Sequence, residues 1–188
     1  MRGSGRKGEI AKAILFCLVV AGAVSLAATA PNAFLLLKPL LEKGSTRRVN
    51  KESLRRAIKR LHEKKMISLS VKGGKTILEI TEKGKKRVRE FEFDEMALEI
   101  PKKWDKRWTI ILFDIPETRK VVRDALHRKL VELGCYQFNK SVFVYPSSCD
   151  DEIDFVSEFF SVSPYVTHFE TFSLGVHEYR ARKFFGLV

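Results

Sequence analysis

The stretch WTIILFDIPETRKVVRDALHRKLVELGCYQFNKSVFVY, Trp108 to Tyr145, decides how the chain is read, because it passes from strand to helix to strand pair within 38 residues. Trp108 to Phe113 is an almost unbroken apolar run with β-branched members, the pattern of a strand buried on both faces. It ends on a carboxylate, Asp114. Pro116 suits the first turn of a helix, where its missing N–H costs nothing, and Glu117 suits the positive end of the helix dipole. Val121, Val122, Ala125, Leu126, Lys129, Leu130 and Leu133 then recur at helical spacing until Gly134, which predicts a helix laid on a sheet. Cys135 to Phe138 and Val142 to Tyr145 are short β-prone runs around the turn residues Asn139-Lys140-Ser141. Beyond Pro146, Asp150-Asp151-Glu152 opens a second amphipathic helix carrying Ile153, Val156, Phe159 and Phe160, and Tyr165 to Leu174 gives a last strand. The order is βαββαβ, which predicts a ferredoxin-like split unit.

Upstream, charge is distributed unevenly. The net charge is +12. Residues 43–90 hold 17 basic and 5 acidic side chains, residues 1–42 hold 5 and 2, and residues 91–188 hold 13 and 16. The middle segment therefore carries the whole excess, and a concentrated basic segment points to a polyanionic partner. Within it, Lys51 to about Lys65 reads as a helix capped by Asn50, with Leu54, Ala57, Ile58, Leu61 and Lys65 on one face and Arg55, Arg56, Lys59 and Arg60 on the other. Met66 to Val71 and Thr76 to Ile80 read as strands around Lys72-Gly73-Gly74-Lys75, a hairpin with basic residues at its tip.

The N-terminal run Ala13 to Ala28 admits three readings. A signal peptide is suggested by the basic start and by Ala28-Thr29-Ala30, which imitates a cleavage site. A membrane span is suggested by the apolar content, although the run is shorter than the roughly 20 residues a span needs. The length and the flanks favour buried helices, one from about Gly8 to Gly22 and a second starting at Pro31-Asn32, with no stable membrane insertion. Three helices followed by a basic hairpin predict a winged helix-turn-helix that reads duplex DNA through Arg55, Arg56, Lys59 and Arg60, with Lys72 and Lys75 on the wing meeting phosphates.

The expected fold class is thus α+β, an N-terminal winged helix-turn-helix followed by a ferredoxin-like domain. Residues 1–87 are expected to form the DNA-binding head, 88–103 a linker helix or arm, 104–175 the ferredoxin-like domain and 176–188 a C-terminal tail packed on a partner subunit or on the head. Cys17, Cys135 and Cys149 lie far apart with no C-x-x-C pair, so neither zinc nor redox work is indicated, and a reducing cytoplasmic setting is expected. The four histidines show no ligand spacing, and structural or surface roles are expected for them.

FDIPE at 113–117, RDALHRKL at 123–130, LGCYQFNKSVFVYP at 133–146 and PYV at 164–166 together resemble the central domain of the PaaX family of transcriptional repressors. That domain is similar in turn to the small CRISPR-associated subunit of the spacer-integration complex, the second numbered Cas protein, often described as a metal-dependent nuclease. The resemblance implies a dimeric DNA-binding regulator, a repressor, without a cofactor. Its alternative implication is a magnesium-dependent endonuclease or integration scaffold, in which a dimer brings two copies of Asp114 to a shared metal, with Glu117 as a helper and Ser141 on the facing strand. The residues themselves favour a structural role for Asp114, capping the helix that follows it. Two departures stand out: the additional C-terminal domain of the repressors is missing from this sequence, and the CRISPR-associated subunit normally lacks a winged head.

Overall fold

The computed structural model describes residues 4–27 and 51–187. The second helix expected from Pro31 and the cap expected at Asn50 lie outside the described residues. The architecture is mixed α+β with two small sheets, and the chain separates into two compact units between Asp94 and Glu95.

In the first unit, α1 (Ser4–Ala21) takes up most of the apolar N-terminal run. Ile14, Leu15, Cys17 and Leu18 are buried in a core shared with α2 (Lys51–Glu63). No helix among the described residues is long and apolar enough to cross a membrane. Gly22, at φ +69°, ends α1 in the left-handed region that a side chain disfavours. The next five residues, Ala23–Ala27, form β1, a strand that the sequence reading did not anticipate. It pairs antiparallel with β3 (Lys75–Ile80), which pairs in turn with β2 (Ile67–Lys72), giving the order β1-β3-β2.

Helix α2 buries Leu54, Ala57, Ile58 and Leu61 as its spacing requires. Lys65, expected on that face, is exposed with φ +58°. The helix has already ended there: Lys65 N donates to His62 O and Met66 N to Leu61 O, a reversal that satisfies the last carbonyls. Helix α3 (Glu82–Glu95) follows β3 and buries Val88 in the same core, so residues 88–94 continue a helix of the first unit. Its start is fastened to the α2–β2 loop. Thr81 Oγ1 donates to Lys65 O at 2.7 Å and accepts from Gly84 N at 3.1 Å. Gly84 packs so closely there that a Cβ would stand 2.1 Å from Met66 O.

In the second unit the elements run β4 (Trp108–Phe113), α4 (Lys120–Glu132), β5 (Tyr136–Asn139), β6 (Val142–Tyr145), α5 (Asp150–Phe159), β7 (Val166–Thr171) and α6 (Glu178–Phe185). The βαββαβ order is followed by one more helix. The sheet order is β5-β6-β4-β7, all antiparallel. Antiparallel sheets commonly leave one face to water, yet β4 is buried or half-buried at every position. The tail supplies the second cover. Ala181 of α6 is fully buried with Trp108 and Val144, and Phe185 packs near Trp108 and Tyr145, with ring centroids 6.0 and 5.7 Å apart. The segment expected to pack on a partner or on the head therefore packs on its own sheet.

Helix α4 starts later than the sequence suggests, because Glu117–Arg119 forms a 3-10 turn first. Val121, expected on the apolar stripe, is 81% exposed in consequence, while Leu126, Leu130 and Leu133 are buried. Lys129 is buried as well, its ammonium brought to Glu132 at 3.0 Å, the arrangement by which a long side chain covers apolar surface and still reaches a charge.

Candidate nucleic-acid interface and the Asp114 strand end

Because one face of α2 is fixed in the core, the residues roughly half a turn away must face solvent. Arg55, Arg56 and Lys59 are exposed there. Arg56 stands 3.9 Å from Glu52 and Lys59 4.0 Å from Glu63, each one helical turn away. Exposed pairs of this length contribute at most about 1 kcal/mol, so both cations can be exchanged onto a stronger anion. Arg60 is placed differently. It is half-buried, donates from Nε to Arg56 O at 3.4 Å and borders a groove between α1, α2 and α3. The four side chains expected to act together are thus divided, three on the open face and one at its margin.

The β2–β3 hairpin turns through Gly73 and Gly74 with φ +57° and +71°, the double left-handed turn whose twist matches its flanking strands. Lys72 and Lys75 are direct cross-strand partners beside the turn, both exposed. Like charges opposed in this way destabilise a hairpin, and a polyanion laid across them removes that cost. Along β2 one side-chain face goes from buried Ile67 to Leu69, 39% exposed, and Val71, 74% exposed. The hairpin runs outward from its core.

Asp114 lies just past β4, where the backbone is held from both sides. Phe113 N donates to Ser141 O at 3.0 Å and Asp114 N to Tyr165 O at 2.9 Å. The residue is exposed. Its carboxylate takes part in no hydrogen bond or ion pair among the described residues, and neither the 3-10 turn nor α4 has a side-chain cap. The capping role expected of Asp114 is not formed. Pro116, extended at φ −54° and ψ 148°, carries the chain away before the helical turns begin. Glu117 is occupied elsewhere, 2.7 Å from Arg123 and 4.0 Å from Lys120. The hydrogen bond from Arg123, with the charge behind it, holds the Glu117 carboxyl below the usual range. Ser141, expected on the facing strand, is half-buried in the turn just before β6. Among the described residues no group of three or more His, Cys, Asp or Glu is arranged to hold a metal ion. One chain thus offers a single carboxylate at this point, fewer oxygen ligands than a magnesium shell takes from protein and water together.

Sequence reasoning missed a polar clasp in this unit. His168 of β7 reaches two carboxylates of α5, with Nδ1 3.0 Å from Asp150 and Nε2 2.9 Å from Asp154. Burial lowers the imidazole pKa, but the hydrogen bonds and negative charge of Asp154 and Asp150 outweigh it and leave His168 raised. The signal present in the sequence was the i, i+4 spacing of Asp150 and Asp154, which puts both on one helix face. The strand residue that meets them was not readable from spacing. The three cysteines are buried free thiols. Burial pushes Cys149 up to about 12, and Cys17 and Cys135 are raised for the same reason, so they behave as small apolar side chains.

A search of curated proteins gives no match to the chain. Residues 101–182, which run from just before β4 into α6, match the family model described as the PaaX protein central Cas2-like domain.

Proposed function

We propose that this chain is a dimeric, cytoplasmic DNA-binding regulator of transcription, a repressor, whose first unit is a winged helix-turn-helix and whose second is a ferredoxin-like dimerisation domain. One observation carries the reading: in a single unit, a helix with its apolar face in the core presents Arg55, Arg56 and Lys59 outward, and a hairpin that leaves the core opposes Lys72 to Lys75. Such a helix fits a major groove, where arginines bridge guanine acceptors, and lysines on a wing meet phosphates. Arg60 contributes from the margin of that face. The match of the second unit to a domain named for a PaaX protein supports the regulatory role. A two-fold pair of second units sets two heads against inverted half-sites one helical turn or a multiple apart. No cofactor and no lipid enter this reading.

The test is binding of duplex DNA, selected from a random pool, across a salt series. Replacing Arg56 and Lys59 by Ala should weaken binding and lower the logarithmic salt slope by about 0.9 for each phosphate no longer neutralised. Unchanged affinity and slope would discard the reading. Light scattering that finds only monomers at high concentration would remove its dimeric part.

The exposed, unpartnered carboxylate of Asp114 favours a second reading, a magnesium-dependent endonuclease or integration scaffold in which two chains each supply Asp114. The donor set of one chain does not fit a magnesium site, so this reading stands only if a dimer brings both copies together. Cleavage of DNA or RNA with magnesium that disappears in Asp114→Ala, while DNA binding and the dimer persist, would replace the regulator by the nuclease.

A further inference from the structure

The reversal after α2 and the start of α3 bring four lysines to one end of the first unit. Lys64 and Lys65 are exposed where the chain turns out of α2, and Lys83 and Lys86 are exposed on α3. The two elements are fixed to each other: Thr81 Oγ1 donates to Lys65 O, and Gly84, between the two α3 lysines, packs against Met66 O. Lys83 and Lys86 lie about 60° apart on one flank of the helix. Arg87, one turn after Lys83, lines a groove together with Lys64, so this flank is the one beside the end of α2.

Neighbouring cations have carboxylate partners. Arg56 is within 4.0 Å of Glu52, Lys59 of Glu63, Lys85 of Glu82 and Arg87 of Glu90. Lys64, Lys65, Lys83 and Lys86 take part in no side-chain hydrogen bond or ion pair among the described residues. Two of the placements also run against the local fold. Lys65 holds φ +58° at the helix-ending position that favours glycine, because a Cβ is disfavoured in the left-handed region. Lys83 stands in the first turn of α3, the positive end of the helix dipole, where a carboxylate stabilises and a cation does not. Neither serves the stability of the unit, and an extended polyanion laid over the loop and the helix would satisfy all four charges.

We propose that Lys64, Lys65, Lys83 and Lys86 form a second contact with duplex DNA, holding phosphates that flank the site read by α2. This contact rests on the DNA-binding reading above and extends it. The helix that presents Arg55, Arg56 and Lys59 runs directly into the Lys64-Lys65 reversal, so a duplex seated on the first surface continues over the second. Phosphate contacts carry affinity and salt dependence and read no bases, so the preferred sequence is set elsewhere.

The test compares a duplex selected from a random pool with the same duplex extended by about ten base pairs, one helical turn, on each side. The full chain should bind the extended duplex more tightly and with a steeper salt slope. A Lys83→Gln, Lys86→Gln double variant should lose about tenfold on the extended duplex and bind the short one as the parent does. Lys85→Gln, on the opposite flank of α3 and paired with Glu82, should change neither. Lys65→Gly should melt no lower than the parent, since glycine suits the left-handed turn, yet bind the extended duplex more weakly, a loss that a damaged fold does not explain. Equal affinity of the parent for the two duplexes, full extended-duplex affinity in the double variant or in Lys65→Gly, or a loss in Lys85→Gln as large for each charge removed overturns the proposal and leaves the α2 surface standing. If the parent and an Arg56→Ala, Lys59→Ala double variant bind both duplexes alike, the DNA-binding reading fails and the proposal with it.

Discussion

The β2–β3 hairpin of the first unit and strand β4 of the second are built from similar apolar residues and treated in opposite ways. Leu69 and Val71 lean increasingly into solvent toward a tip where two lysines face each other, whereas β4 lies mid-sheet with helices on one face and α6 on the other. One sheet spends apolar side chains on reach, and the other on burial. The charge follows the same division, with the basic excess concentrated in residues 43–90 and a slight acidic excess in 91–188. Under the proposed function the exposed apolar residues beside the basic tip belong to a binding surface, while the same residue types in β4 form core.

The largest effect should come from breaking the buried side. Trp108→Ala removes a fully buried indole and should cost the second unit about 3–5 kcal/mol, read by urea unfolding with Trp104 as the remaining fluorescent reporter. Trp108→Phe should cost much less, because it also deletes an indole N–H that has no hydrogen-bond partner. Next is Gly84→Ala in the first unit. The added carbon would stand 2.1 Å from Met66 O, so the start of α3 must shift, at a cost of about 1–3 kcal/mol or more. Both tryptophans belong to the second unit, and this loss should therefore register in circular dichroism and leave the tryptophan signal little changed. Equal movement of the two signals would contradict the division of stability between the units.

A smaller effect depends on pH. The folded pKa of His168 lies above its unfolded value, so the stability it contributes is fully present below about pH 6.5 and is lost as pH rises through the folded value. Urea midpoints followed by tryptophan fluorescence should fall between pH 6 and pH 8, and His168→Gln should flatten that fall. A slope unchanged in the variant would assign the pH dependence to other groups. The smallest effect is expected at Val121, 81% exposed. Val121→Ser should change stability by no more than about 0.5 kcal/mol, and a loss above 1 kcal/mol would restore the residue to the apolar stripe from which the structure removes it.

Periodicity made α2 and β4 legible, since Leu54, Ala57, Ile58 and Leu61 can share a face only in a helix, and the run from Trp108 to Phe113 has no polar face to expose. Turn chemistry made the Gly73-Gly74 hairpin legible. Strand β1 was hidden because Ala23–Ala27 continues the apolar run of α1, and only its pairing with β3, some fifty residues on, defines it. Val121 was misplaced because helical spacing fixes which residues share a face and leaves open where the helix starts, which the Ile115-Pro116 segment decides. At the candidate interface, Arg55, Arg56 and Lys59 followed from the helical wheel, but the half-burial of Arg60 depends on tertiary packing, which no local pattern encodes. The unengaged carboxylate of Asp114 and the meeting of His168 with Asp150 and Asp154 are likewise products of tertiary approach.

The sheet order of the second unit also imposes a timetable on synthesis. Strand β4 leaves the ribosome well before either strand that will flank it, and its partner in the last pairing, β7, is complete only about sixty residues later. At roughly 5–20 residues per second the run Trp108–Phe113 waits about 3–12 s with at least one hydrogen-bonding edge open. During that interval it is the segment of the nascent chain most apt to be held by a chaperone or to pair with the same segment of a neighbouring polysome product.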